Sequence, residues 1–103
     1  MIKVSVLYPN GEGAQFDADY YCDNHIPMVR ERLADALKGV TVDTGLAGMD
    51  PSAPVPFLAL VSLQFESVET FQAAFGAHAA EIMADGPNYT NVEPVIQINQ
   101  IRL

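Results

Sequence analysis

Apolar and polar residues alternate along Ile2-Lys-Val-Ser-Val-Leu-Tyr8, so Ile2, Val4, Val6 and Tyr8 share one face of a strand. Pro9-Asn-Gly-Glu-Gly13 ends that strand with turn residues, including two glycines able to take positive φ. The period then changes. Tyr21, His25, Met28, Val29, Leu33, Ala36 and Leu37 recur at helical spacing, with Arg32 contributing its stem, and predict a helix over about 18–38. Asp17 is its N-cap, Asp19 adds a carboxylate to the first turn, and Gly39 is the expected C-cap glycine. Pro27 lies inside this helix, where it lacks an N–H and clashes with the turn before it. A kink or restart is therefore expected near Asn24–Ile26.

Val40–Ala47 reads as a second strand, with Val40, Val42 and Thr44 on one face. Gly48–Pro56 is a loop with three prolines. Phe57–Phe65 is almost continuously apolar and reads as a central strand covered on both faces. Ser67 caps a second helix with Val68, Phe71 and Phe75 as its stripe. Gly76 weakens or breaks that helix, and Ala77–Ala84 resumes it. Asp85-Gly-Pro-Asn-Tyr-Thr90 is turn chemistry, and Val92–Leu103 is the last strand, with Pro94 tolerable at its start or on an edge. The order β-α-β-β-α-β gives an α+β fold: a four-stranded antiparallel sheet with both helices on one face, in one domain spanning residues 1–103. Strands one, three and four carry more apolar residues than a single covered face needs. A homodimer pairing sheet against sheet is the expected remedy.

Charge narrows the partners. The formal net charge is -8, from five basic and thirteen acidic residues, and the basic ones form no cluster. Nucleic acid and anionic membrane surfaces both need concentrated positive charge, so neither is an expected partner. No stretch is long enough to cross a bilayer, and the chain opens on a charged strand without signal-peptide character, so a cytoplasmic protein is expected. Cys22, the single cysteine, allows neither an intrachain disulfide nor a cysteine zinc cluster.

The segments Lys3–Pro9, Phe16-Asp-Ala-Asp-Tyr-Tyr-Cys-Asp-Asn-His-Ile-Pro-Met-Val29, Asp85–Thr90 and Pro94–Asn99 resemble the EthD family, named for a protein linked to degradation of ethyl tert-butyl ether. The resemblance spans essentially the whole chain. It implies a ferredoxin-like domain paired as a dimeric α/β barrel. It places the family's histidine on His25, its aromatic pair on Tyr20 and Tyr21, and its proline on Pro27. Many relatives carry a second histidine just before the first, where this chain has Asn24. Some relatives look like dehydratases or decarboxylases of aromatic polyketide-type compounds, and "reductase" is a common automatic name for members.

His25 is the leading candidate for chemistry, as a general acid/base on the helix face that should pack against the sheet. The competing reading is a structural histidine bonded to a backbone carbonyl near Pro27. Tyr21 shares the His25 side by i,i+4 geometry and can donate to a substrate oxygen, or serve as a core aromatic. Asp85, in the turn before the last strand, can orient His25 or a substrate hydroxyl, or simply stabilise an Asp-Gly turn. Tyr20, Met28, Phe75 and Tyr89 are the expected substrate-binding residues. His78, flanked by alanines, reads as a partly exposed helix residue, and His25, His78 and Asp85 match no compact metal motif. No G-x-G-x-x-G follows a strand and there is no P-loop, so no cofactor is expected, with haem and flavin as minor alternatives. The expected function is cofactor-free dehydration, tautomerisation or a related step on a small aromatic or ketone-bearing compound. A non-catalytic accessory protein of a degradation pathway and a purely structural dimer are the alternatives.

Overall fold

The computed structural model describes residues 1–103. Strands β1 (Ile2–Pro9), β2 (Gly39–Thr44), β3 (Phe57–Phe65) and β4 (Val95–Gln100) form one antiparallel sheet in the order β2-β3-β1-β4. A helical arm connects β1 to β2. It comprises α1 (Ala18–Tyr20), a π-helical turn (Tyr21–His25), α2 (Ile26–Leu33) and a 3-10 turn (Ala34–Ala36). Between β3 and β4 lie α3 (Val68–Gly76), α4 (Ala79–Ala84) and a 3-10 turn (Gly86–Asn88). This is the ferredoxin-like arrangement expected from the order of elements.

The sheet does not close. β2 and β4 are free edges separated by two strands, and four strands are too few to bring their edges together around a packed interior. The barrel implied by the family resemblance is thus corrected to an open, four-stranded sheet.

Register separates the two faces. Under the helices run the rows Ile98–Val4–Leu63–Val40 and Ile96–Val6–Val61–Val42. Val4, Val61, Leu63 and Phe65 are buried there with Val29, Leu33 and Ile82 from the helices. The opposite face carries one largely apolar row, Val95–Leu7–Leu60–Asp43, and two polar ones, Gln97–Ser5–Ser62–Thr41 and Asn99–Lys3–Gln64–Gly39. β3 is central, but only its helix-facing residues are fully covered. Leu60 on the open face remains 42% exposed.

Both predicted N-caps form: Asp17 accepts from the Tyr20 N–H at 3.0 Å, and Ser67 from the Thr70 N–H at 3.1 Å. Pro27 acts differently from a simple breaker. The arm stays continuous because the turn before Pro27 widens, the Ile26 N–H bonding to the Tyr21 carbonyl five residues back. A π turn absorbs the donor that proline lacks at the place where the kink was expected. Gly76 does end α3, and the chain restarts at Ala79.

Helix α2 does not end on a glycine. Ala34 takes φ 48° and ψ −128°, while Gly39 has already entered β2, where a Cβ would press on the Gln64 side chain. That backbone region suits glycine and strains any residue with a Cβ. Relief of the strain outweighs the extra entropy that glycine loses on folding, so Ala34→Gly should stabilise the protein by about 0.5–1 kcal/mol in urea unfolding. An unchanged or lower midpoint would contradict the strain. Gly45, by contrast, is required: a Cβ there would collide with the Phe57 carbonyl.

Candidate functional site: a histidine–aspartate pair at an apolar cavity

The π turn and the turn before β4 meet at one end of the helical layer, and a set of hydrogen bonds fixes their spacing. The Asp17 N–H donates to the Tyr89 carbonyl at 2.7 Å, and Phe16 and Thr90 form an isolated β-bridge. Asn91 accepts from the Gln15 N–H and donates to the Gly13 carbonyl, both at 2.9 Å. On the outer surface Arg32 grips Glu81 through two hydrogen bonds, at 2.8 and 3.0 Å, tying α2 to α4. These ties hold residues 60 positions apart in sequence, His25 and Asp85, at contact distance.

His25 is 4% exposed, and its Nδ1 lies 2.8 Å from Asp85 Oδ2. The other carboxylate oxygen accepts from the Tyr20 hydroxyl at 2.7 Å and from Asn88 Nδ2 at 2.9 Å. Burial pushes the Asp85 carboxyl up, but the hydrogen bonds from Asn88, His25 and Tyr20 outweigh it and hold the group below the usual carboxylate range. An ionised carboxylate only accepts, so the proton of a neutral imidazole resides on Nδ1, and Nε2 carries the lone pair. Nε2 has no hydrogen-bond partner in the protein, yet no fully buried side-chain polar atom is left unsatisfied. It therefore opens onto the adjacent cavity, which His25 lines.

That cavity has a volume of about 500 Å³. Val6, Leu63 and Ile96 of the sheet form its floor, and Tyr21, His25, Ile26 and Val29 of the helical arm form one wall. Phe75, Ile82 and Met83 form the other, and residues 86–87 and 89–94 form the rim. The rings of Tyr21, His25 and Tyr89 make a compact triangle, with centroid separations of 4.9, 4.7 and 4.8 Å. Tyr89 and Tyr8 share a hydrogen bond at 3.0 Å. Burial, together with neighbouring phenols, pushes the hydroxyls of Tyr8, Tyr21 and Tyr89 well above the usual tyrosine range, so all three remain protonated.

The structure brings His25, Tyr21, Tyr89 and Phe75 together around the cavity, with Asp85 directly behind His25. It places two expected residues elsewhere. Tyr20 points its hydroxyl at Asp85 and does not line the cavity, and Met28 is half-buried against the core. His25 is bonded to a carboxylate, and the alternative of a backbone carbonyl partner does not occur. Two further residues take part that patterning does not single out: Tyr8, which alternation marks only as a strand residue, and Asn88, for which the position three after Asp85 is the one signal of an Asx contact. No group of three or more His, Cys, Asp or Glu side chains is placed to hold a metal ion. No helix is long and apolar enough to cross a membrane.

Similarity to known proteins agrees with this architecture. A crystal structure of an EthD-like protein from Ralstonia eutropha JMP134 is 48% identical, covers 99% of this chain and 92% of its own, and superposes with a TM-score of 0.94. An ethyl tert-butyl ether degradation (EthD) family protein from Bacillus halodurans C-125 is 19% identical over 99% of both chains, with a TM-score of 0.67. A protein of unknown function from Bacteroides fragilis NCTC 9343, described as dimeric and ferredoxin-like, shares the fold at 9% identity, covering 97% of this chain and 95% of its own at a TM-score of 0.53. No curated protein matches the chain. The family model of the EthD domain matches residues 10–93, and the chain belongs to the EthD family.

Proposed function

We propose that the cavity binds a small aromatic or ketone-bearing compound and that His25 moves a proton on it. One observation carries this reading: His25 Nδ1 is held by Asp85 at 2.8 Å while Nε2 is open to an apolar cavity. A structural histidine would have both ring nitrogens satisfied by protein. Nε2 takes a proton from the carbon beside a carbonyl, the C–H electron pair moves towards the carbonyl oxygen, and Asp85 stabilises the imidazolium that results. The phenol of Tyr21, held protonated, is suited to donate to the developing oxyanion, and that of Tyr89 joins it when Tyr8 supplies the proton of their shared hydrogen bond. Return of the proton to another atom completes a tautomerisation. Its delivery to a departing β-hydroxyl, with loss of water, completes a dehydration. Neither step needs an oxidant or a reductant.

The test is exchange of α-protons for deuterium in a panel of aryl and alkyl ketones, followed by NMR. The wild type should exchange at least one of them above the buffer rate. Binding without exchange would favour the accessory-protein alternative, and neither binding nor exchange would remove the reading. The same proposal includes a homodimer contacting through the open sheet face, where Val95, Leu7 and Leu60 form the apolar row. Light scattering should then give about twice the 11.2 kDa chain mass, and a monomer at high concentration would exclude this contact.

A further inference from the structure

We infer that this cavity admits uncharged ligands and rejects anionic ones, with Glu93 at the rim as the residue that enforces the choice. The inference rests on the binding role proposed for the cavity above. None of the five basic residues lines it. Arg32 is engaged by Glu81 and Glu31 on the outer surface, Lys38 lies beside Glu66, and Lys3 sits in a polar row of the opposite sheet face. A carboxylate or phosphate entering the cavity would lose water and meet no cation.

His25 does not repair this deficit. In its imidazolium form it is already matched by Asp85 at 2.8 Å, so the pair is neutral; in its neutral form the pair carries one negative charge. Glu93, exposed at the rim, adds a further negative charge to the lining. The polar rim residues Thr90 and Asn91 offer little compensation. Thr90 donates to the Gln15 carbonyl, and Asn91 spends both ends of its amide on Gln15 and Gly13. What faces a ligand is an apolar surface, one imidazole nitrogen and a group of phenols. That combination suits ketones, phenols and alcohols, and discriminates against acids and phosphate esters.

The experiment compares near-isosteric pairs in which an acetyl methyl is exchanged for a carboxylate oxygen: acetophenone with benzoate, phenylacetone with phenylacetate, and 2-acetonaphthone with 2-naphthoate. Dissociation constants are measured by ligand-observed NMR at fixed ionic strength on wild type, Glu93→Lys, Glu93→Gln and Glu66→Lys. Glu66, in the turn after β3, does not line the cavity, and its substitution changes net charge as much as Glu93→Lys does. The ketone should bind the wild type at least about tenfold more tightly than its carboxylate partner in each pair that binds. Glu93→Lys should narrow that ratio about tenfold and Glu93→Gln about threefold, while Glu66→Lys leaves it within about twofold. Carboxylates binding the wild type as tightly as the ketones would overturn the inference while leaving the cavity a binding site. Equal effects of Glu66→Lys and Glu93→Lys would overturn the role of Glu93. No binding by any member of any pair would overturn the inference together with the reading beneath it.

Discussion

His25→Asn should lower turnover of any ketone the wild type processes by about 10²- to 10⁴-fold, the usual contribution of a positioned general acid/base. Asparagine suits the test because its amide N–H₂ can replace Nδ1–H as donor to Asp85. The Asp85 carboxylate also keeps its bonds from Tyr20 and Asn88. The variant therefore retains the local hydrogen-bond framework and loses the basic nitrogen facing the cavity. Ligand affinity should change by less than about threefold, because the apolar walls supply most of the contact surface. A lowered kcat at nearly constant binding assigns His25 to the chemical step. A variant that turns over like wild type would remove it from catalysis, and a collapse of the fold would return it to a structural role.

Much of this fold could be read from local patterning. The alternation in Ile2–Tyr8, the apolar run Phe57–Phe65 and the caps Asp17 and Ser67 each depend on neighbours within a few residues, and each forms where patterning places it. Departures arise where a choice between local solutions depends on tertiary packing. Pro27 announced a disturbance but not its form, and the continuous arm with a π turn keeps both Tyr21 and His25 buried. Gly39 was available as a cap, yet packing of β2 beside β3 drew it into the strand and left Ala34 to make the reversal. The apolar surplus assigned to the second sheet face is concentrated in one row, because β4 presents Ile96 and Ile98 towards the helices. Neither residue is fully covered there, and Ile96 forms part of the cavity floor.

The site divides in the same way. His25 stood out as a buried-face histidine on an otherwise apolar stripe, a property of the helix alone. Its partner could not be derived from spacing, since the contact with Asp85 is created by the lacing of residues 13–17 to 89–91. Tyr20 and Tyr21 illustrate the limit more sharply. Adjacent on one turn, they point to different places, one to the carboxylate and one to the cavity wall. The barrel failed for a topological reason: pairing of edges is a property of the whole sheet, and here both edges stay free.

Asp85→Asn should reduce turnover by at least about 10²-fold, through the tautomer of His25 rather than through binding. Tyr20 and Asn88 both donate to Oδ1, which fixes the orientation of the substituted amide: its oxygen must face those donors, and its N–H₂ must face His25. Nδ1 then becomes the acceptor, the imidazole proton moves to Nε2, and the atom facing the cavity can no longer take a proton from a ligand. Histidine ¹⁵N shifts read this change directly, and wild-type-like shifts would contradict it. The same substitution alters acid stability. The folded-state carboxyl lies below its ordinary range, so the stability it contributes is present above the unfolded carboxylate range and is lost as pH falls through the lowered folded value. The wild type should therefore lose part of its urea stability across that acid window, and Asp85→Asn should show a shallower decline there. Parallel declines would mean that Asp85 gains nothing from its three donors, and the account of how His25 is held would fall with them.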